Sequence, residues 1–95
     1  MTPRWTMTVT VTCRMAPFQM NGTVLVTPAT APCPWYYRER HTKWSLRVGQ
    51  PGGNEMDAVD GGLLASGECE DYGRLDVALS RIGLAFSRAM SHCCP

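Results

Sequence analysis

The chain has 95 residues, of which 44% are hydrophobic, and its formal net charge is +1. A chain of this length has room for a single domain, 1–95, with one core, and its hydrophobic content argues against intrinsic disorder. It has no run of about 18 apolar residues that could cross a bilayer, and its first residues lack the apolar block of a signal peptide. We therefore expect a cytoplasmic protein.

The first third of the chain predicts two strands and a connector. Residues 5–13, WTMTVTVTC, alternate between apolar residues and threonine, which predicts a strand with one buried face and one face toward solvent. Asn21-Gly22 is a turn signal directly before TVLVT, so we expect the first two strands to form a hairpin that turns there. PATAPCP, 28–34, predicts a connector, because proline provides no backbone donor.

The middle of the chain predicts two more strands and a long loop. Residues 43–48 alternate clearly and predict a strand. In the stretch before them, neighbouring aromatic residues have opposite parity, so a bulge or a turn near His41-Thr42 is required. The segment 49–62 is rich in glycine and acidic residues and predicts a long loop. LLASG, which follows it, predicts a short last strand.

From Asp71 to Met90 the apolar residues follow the period of a helix. We expect Asp71 to be the N-cap and 91–95 to form a frayed tail. The apolar stripe consists of Leu75, Ala78, Leu79, Ile82, Ala85, Phe86, Ala89 and Met90. Of these, we expect Leu75, Leu79, Ile82 and Phe86 to pack on the odd-numbered face of the first strand. The order β-β-β-β-α predicts an α+β fold, with a small antiparallel sheet of about four strands packed by one C-terminal helix.

The sequence contains no pattern typical of catalysis or metal binding. Neither His41 nor His92 has a recognisable catalytic partner nearby, and the five cysteines include no C-x-x-C pair. His92 to Cys94 lie close together, but a metal site there would need further ligands. We expect reduced, mostly structural cysteines, no metal, no cofactor and no enzymatic activity.

The nearly neutral net charge conceals two oppositely charged halves. Residues 1–50 contain six basic residues and one acidic residue, whereas 51–95 contain three basic and seven acidic residues. Such segregation is typical of surfaces made for charged partners. The alternative is that the two halves attract each other within the fold.

The acidic half suggests a protein-binding surface. Its candidate partner-binding residues are Glu55, Asp57, Asp60, Glu68, Glu70 and Asp71. Carboxylates on a loop and at a helix start can dock on a basic protein surface, including one that normally holds nucleic acid. The alternative is that they serve only solubility.

The basic half suggests a single-stranded nucleic-acid-binding surface in 35–47. Its candidate residues are Trp35, Tyr36, Tyr37, Arg38, Arg40, Lys43 and Arg47. Aromatic faces stack on bases and guanidinium groups contact phosphates. The alternative is that the aromatic residues form the core and its rim, and Glu39 interrupts the patch.

The chain resembles the small phage-encoded inhibitors of bacterial defence, anti-CRISPR proteins among them. The resemblance rests on size, on the strands TMTVTVTC, TVLVT and KWSLRV ahead of one helix, DYGRLDVALSRIGLAFSRAM, and on the lack of a catalytic motif. It implies a non-enzymatic binder that blocks a nucleoprotein effector such as a CRISPR complex, in the cytoplasm of a bacterial host. These inhibitors share no motif, so the resemblance assigns no site residue. The oligomeric state stays open.

Overall fold

The computed structural model describes residues 4–13, 18–27, 31–70 and 73–93. Its elements, in chain order, are β1 (Arg4–Cys13), β2 (Phe18–Thr27), β3 (Cys33–Arg40), β4 (Lys43–Val48), α1 (Glu55–Val59), β5 (Gly62–Glu68) and α2 (Leu75–Cys93). The strands form one antiparallel sheet in the order β1-β2-β3-β4-β5. The predicted α+β fold with a C-terminal helix is therefore confirmed, with five strands instead of about four. Neither helix in the described part of the chain is long and apolar enough to span a membrane.

The additional strand arises from a tight turn at His41-Thr42. Both residues have positive φ, 54° and 62°, and Arg40 pairs with Lys43 across them. A two-residue connection with positive φ at both positions is the hairpin turn that matches the twist of antiparallel strands. The irregularity predicted here is thus a turn, and 33–40 is a strand of its own.

Asn21-Gly22 is not a turn, because both residues lie inside β2. Gly22 is the register partner of Trp35 on β3. A Cβ on Gly22 would collide with the Thr8 carbonyl and lie 2.8 Å from Cζ2 of Trp35. This glycine therefore makes room for an indole, and the turn prediction was wrong. β1 and β2 do pair antiparallel, but their connection, 14–17, lies outside the described residues.

Two segments predicted to be irregular contain regular structure. Cys33 and Pro34, assigned to the connector, begin β3, where Pro34 is the register partner of Thr23. The predicted loop 49–62 contains α1, because the side chain of Asn54 accepts from the N–H of Asp57 and the carboxylate of Asp57 accepts from the N–H of Asn54. This reciprocal capping satisfies donors that a short helix would otherwise leave free.

The core lies between the sheet and α2. It takes even-numbered residues from β2 and β4 and odd-numbered residues from β3, and its buried cluster is Phe18, Met20, Val24, Trp35, Tyr37, Leu46, Ala78, Ile82, Ala85 and Phe86. We call this side of the sheet the core face and the opposite side the outer face. Met7 of β1 packs against the cluster, whereas the buried strand residues of the cluster all come from β2 to β4. Leu75 is 37% exposed, so its predicted place in the core was wrong.

The ends of α2 also differ from the prediction. The helix begins at Leu75, four residues after Asp71, the predicted N-cap, which lies outside the described residues. At its other end α2 continues to Cys93. Residues 91–93 of the predicted tail are therefore helical, and 94–95 lie outside the described residues.

Candidate functional site

The outer face of β3 and β4 carries four cations, Arg38, Arg40, Lys43 and Arg47, which we call the basic face. The register pairs Tyr36 with Arg47, Arg38 with Ser45, and Arg40 with Lys43. Residues directly opposite each other share a face, and side chains alternate along each strand, so all four cations point away from the core. Arg40 and Lys43 are exposed, whereas Arg38 and Arg47 are half-buried. They line a depression of about 350 Å³ that Leu63 and Ser66 of β5 complete.

None of these four cations has an ion-pair partner within the described part of the chain. The two salt bridges found there are Arg74–Asp76 and Arg81–Glu39, and both involve α2. Arg47 donates to the carbonyl of Gly61 at 2.9 Å, and Arg40 Nε donates to His41 Nε2 at 2.9 Å. These contacts orient the guanidinium groups without neutralising them. The cations of the basic face are therefore not there to attract the acidic half of the chain within the fold.

Beside the basic face, the outer face of β1 and β2 carries polar side chains at Thr8, Thr10, Gln19, Asn21 and Thr23. Thr8 and Thr23 join these strands through their hydroxyls, whose oxygens are 2.6 Å apart. Gln19 and Asn21 stand opposite Arg38 and Tyr36. Hydroxyl and amide groups can donate to an anion, so they extend the surface that a polyanion could contact.

Two carboxylates border the basic face. Glu68, on β5, is the register partner of Lys43 at one end. The second carboxylate is Glu55, near Tyr36 at the other end. Burial raises the pKa of Tyr36 most, the Arg38 charge lowers it, and the nearby Glu55 charge raises it. The Tyr36 phenol therefore stays neutral at neutral pH. The basic face is bounded by acid at both ends and open across its middle.

The aromatic residues predicted to accompany these cations are mostly elsewhere. Trp35 and Tyr37 are 0% exposed and belong to the core, so their assignment to a nucleic-acid-binding surface was wrong. Tyr36 is the predicted aromatic residue that lies on the outer face, where it is half-buried. Of the three aromatic residues predicted to stack on bases, Tyr36 alone has its ring on the outer face.

The acidic candidates do not form one surface. Glu55, Asp57 and Asp60 lie on or beside α1, near the first residue of β5, whereas Glu68 and Glu70 lie at its other end. A strand of seven residues is about 20 Å long, so the two groups are well separated. Asp57 is moreover engaged in capping α1. Asp71 lies outside the described residues.

A buried polar cluster on the core face was missed by the sequence reasoning. Glu39, placed by the prediction in the middle of the basic patch, is 0% exposed. One carboxylate oxygen accepts from the Tyr37 hydroxyl at 2.6 Å and from Arg81 Nη1 at 3.1 Å, and the other accepts from the N–H of Gly73 at 3.1 Å. The shared parity of Glu39 with Trp35 and Tyr37 was the signal that could have found it.

This cluster connects α2 to the sheet and shifts the pKa of its neighbours. Arg81 also donates to the Tyr37 hydroxyl at 2.9 Å and lies 5.6 Å from the centre of the Trp44 ring. Burial, and then the hydrogen bond to Glu39, raise the pKa of Tyr37 strongly. Burial, and then the Glu39 charge, raise the pKa of the Cys69 thiol, which Arg81 partly offsets. Because every charged group has a partner and the thiol stays protonated, the cluster is suited to structure more than to nucleophilic chemistry.

Among the described residues, no three His, Cys, Asp or Glu side chains are grouped so that they could hold a metal ion. Cys33 and Cys69 are free thiols. Comparison with protein-family models, curated proteins and solved structures gave no significant match to this chain.

Proposed function

We propose that this protein is a non-enzymatic binding module whose outer face binds the phosphate backbone of single-stranded nucleic acid. The observation that carries the proposal is the basic face, where four cations lie on neighbouring strands without an ion pair to any described residue. Unpaired cations on one open surface attract a polyanion and release its counterions. We infer that the protein acts in the cytoplasm of a bacterial cell.

The geometry favours contacts to phosphates over contacts to bases. Arg38 and Arg40 are two residues apart on β3, so their side chains leave the sheet about 7 Å from each other. Arginine can donate two parallel hydrogen bonds to one phosphate. Tyr36 supplies one stacking position, worth roughly 1–3 kcal/mol for one base. Binding should therefore depend little on base sequence.

Charge-reversal variants with a matched control test this proposal. The double variant R40E/K43E changes two exposed cations of the basic face, and R74E/R88E makes the same change in net charge at two exposed positions, one just before α2 and one on it. We expect the first to weaken binding of a single-stranded oligonucleotide at least about tenfold and the second to have little effect. Fluorescence anisotropy provides the affinities, and circular dichroism confirms that both variants fold. Equal losses in the two variants, or tighter binding of duplex than of single strands by the parent, would contradict the proposal.

A second candidate function is inhibition of a nucleoprotein effector, such as a CRISPR complex, through α1. The observation that favours it is the side chain of Met56, 63% exposed on a capped helix that also displays Glu55. An exposed thioether beside carboxylates suits a basic protein surface with an apolar centre. This surface is smaller than the acidic set predicted from the sequence, because it excludes Glu68 and Glu70.

The second candidate is tested with variants that spare the cap of α1. E55Q/D60N removes two exposed charges and leaves the Asn54–Asp57 capping interaction in place. If α1 is the docking surface, this variant should bind a purified CRISPR effector more slowly, as added salt would also cause. Oligonucleotide binding should stay unchanged. An effector that binds the parent and E55Q/D60N equally well would exclude this role for α1.

A further inference from the structure

An apolar groove runs between β5 and α2, on the side of the molecule away from the basic face. Its volume is about 410 Å³. Trp44 and Ala65 form its floor, and Leu64 and Leu84 form parts of its walls. Leu84 is 54% exposed and Leu64 is 36% exposed. Two large apolar side chains thus face solvent across one groove.

β5 is the last strand of the described sheet, so one of its edges carries backbone groups that no described strand pairs. Proteins usually protect such an edge with lysine, proline or inward-pointing charge. The strand GLLASGE has neither lysine nor proline, and its one charge is the terminal Glu68. Gly67 is required by core packing, since a Cβ there would lie 2.6 Å from Trp44 Nε1. Apart from the bulge at Leu64, where the register with β4 shifts, the edge carries none of these protections and is open to a further strand.

The groove has a positive charge that nothing in its lining balances. Arg81 and Arg88 contribute to the α2 wall, and no carboxylate lines the groove. Arg81 is already bound to Glu39 and Tyr37. Arg88 is exposed and forms no ion pair with a described residue. A ligand that fits this groove should combine apolar side chains with a carboxylate that reaches Arg88.

We propose that an extended peptide segment of another protein binds here as a sixth strand, pairing with the free edge of β5 and placing apolar side chains and one carboxylate in the groove. Main-chain hydrogen bonds to an edge strand supply affinity in this mode, and the side chains that enter the groove supply specificity. The site is independent of the nucleic-acid-binding function proposed above, because it uses the opposite side of β4 and β5.

The spacing of the groove residues predicts the spacing of the peptide residues. Leu84 and Arg88 are four positions apart on α2 and therefore about 6 Å apart along the helix. Two residues of an extended chain span about 7 Å. A peptide strand that runs alongside α2 should therefore carry the carboxylate two residues from the apolar side chain that contacts Leu84, on the same face.

Selection from a random heptapeptide phage library tests the proposal and does not require an identified partner. We expect the parent protein to enrich peptides with an acidic residue two positions from a large apolar residue. The R88E variant should enrich a basic residue at the same position, and L84D should enrich nothing above background. Both substitutions are at exposed positions, and circular dichroism confirms their folding. Failure of the parent to enrich peptides above L84D, or enrichment without the fixed spacing, would overturn the proposal.

Binding of one enriched peptide then tests the mode of binding. R88E should lose at least about tenfold in affinity, and changing the peptide's acidic residue to lysine should restore it. Methylating alternate backbone nitrogens should abolish binding on one parity only, because a peptide strand pairs with β5 on one edge. Competition between the peptide and an oligonucleotide would place the peptide on the basic face. If the protein forms a concentration-dependent dimer and L84D makes it monomeric, the groove is occupied by a second copy of this chain. Either result would refute the proposal.

Discussion

Among single residues, Glu39 is a buried carboxylate that connects the sheet to α2 and to the residue pair before it. A carboxylate at an inward position of a central strand is costly to bury unless each of its oxygens is hydrogen-bonded. Here Tyr37, Arg81 and the backbone of Gly73 provide those bonds. Gly73 precedes α2 and Arg81 lies within it, so the carboxylate links both the start and the interior of the helix to β3.

Removing Arg81 should be much more destabilising than removing Arg74, which lies seven positions earlier, directly before α2. R81A leaves the Glu39 charge buried without its cation, and we expect a loss of about 3 kcal/mol in the free energy of unfolding. R74A disrupts a pair with side chains 56% and 74% exposed and should cost less than about 0.5 kcal/mol. Urea denaturation measures both. The double variant E39Q/R81A should be more stable than R81A, because no buried charge remains. Similar losses for R81A and R74A would show that Glu39 does not depend on its cation.

The protein should lose stability as the pH rises above about 9. Tyr37 and Cys69 have raised pKa values in the folded state, so the folded chain keeps protons that the unfolded chain releases. Their stabilising contribution is complete below the unfolded pKa values, near 9 and 10, and declines as the pH rises through the folded values. Denaturation at neutral pH and at about pH 10.5 should show the decrease. Y37F should reduce it, and an unchanged pH dependence in Y37F would contradict this assignment.

At the scale of elements, the β3–β4 hairpin shapes the candidate site. The turn at His41-Thr42 pairs Arg40 with Lys43 and so concentrates charge at the tip. Thr42, a β-branched residue, occupies the left-handed region at φ 62°, which disfavours its side chain. The local conformation is therefore imposed by pairing of the flanking strands and by the hydrogen bond from the N–H of Cys69 to the carbonyl of Thr42.

Replacing Thr42 by glycine should stabilise the protein. Glycine adopts positive φ without steric cost, so we expect T42G to raise the free energy of unfolding by about 1 kcal/mol. S45G is the control within β4, where glycine should destabilise by about 0.5–1 kcal/mol. Thermal and urea denaturation distinguish the two results. A T42G variant less stable than the parent would show that Thr42 contributes more through its contacts than its backbone costs.

In the molecule as a whole, positive charge is concentrated on one face of the sheet and negative charge at the two ends of β5. The cations of β3 and β4 share the outer face, whereas the described carboxylates of 55–70 divide between the two ends of β5. The net charge of +1 therefore conceals a surface on which one contiguous region is positive. A polyanion should bind this region with a salt dependence that reports how many cations take part.

The affinity for single-stranded DNA should fall with salt at a predictable slope. Each phosphate neutralised on a single strand contributes about −0.7 to the slope of log K against log salt concentration, so four cations predict roughly −2 to −3. R40E/K43E should at least halve the magnitude of this slope. Anisotropy titrations between about 50 and 300 mM salt measure it. A slope near zero would exclude phosphate binding by the basic face.

Local sequence patterns were enough to predict the period of each segment and the residue types that share a face. Alternation predicted strands and a spacing of three and four predicted α2, because the period of a segment depends on its own residues. The same alternation places Arg38 and Arg40 on one parity, so the cations of the candidate site could be named in advance.

Which parity of β3 is buried depends on the tertiary structure, and so does the location of Trp35, Tyr37 and Glu39. The tertiary structure also determines that Gly22 accommodates an indole instead of making a turn, and that the acidic residues separate into two groups. Each of these outcomes depends on a contact between residues far apart in sequence: Gly22 with Trp35, and Glu39 with Arg81. A local sequence pattern cannot predict such a contact. Its energy comes from side-chain packing and hydrogen bonds that form only once the sheet and α2 have come together.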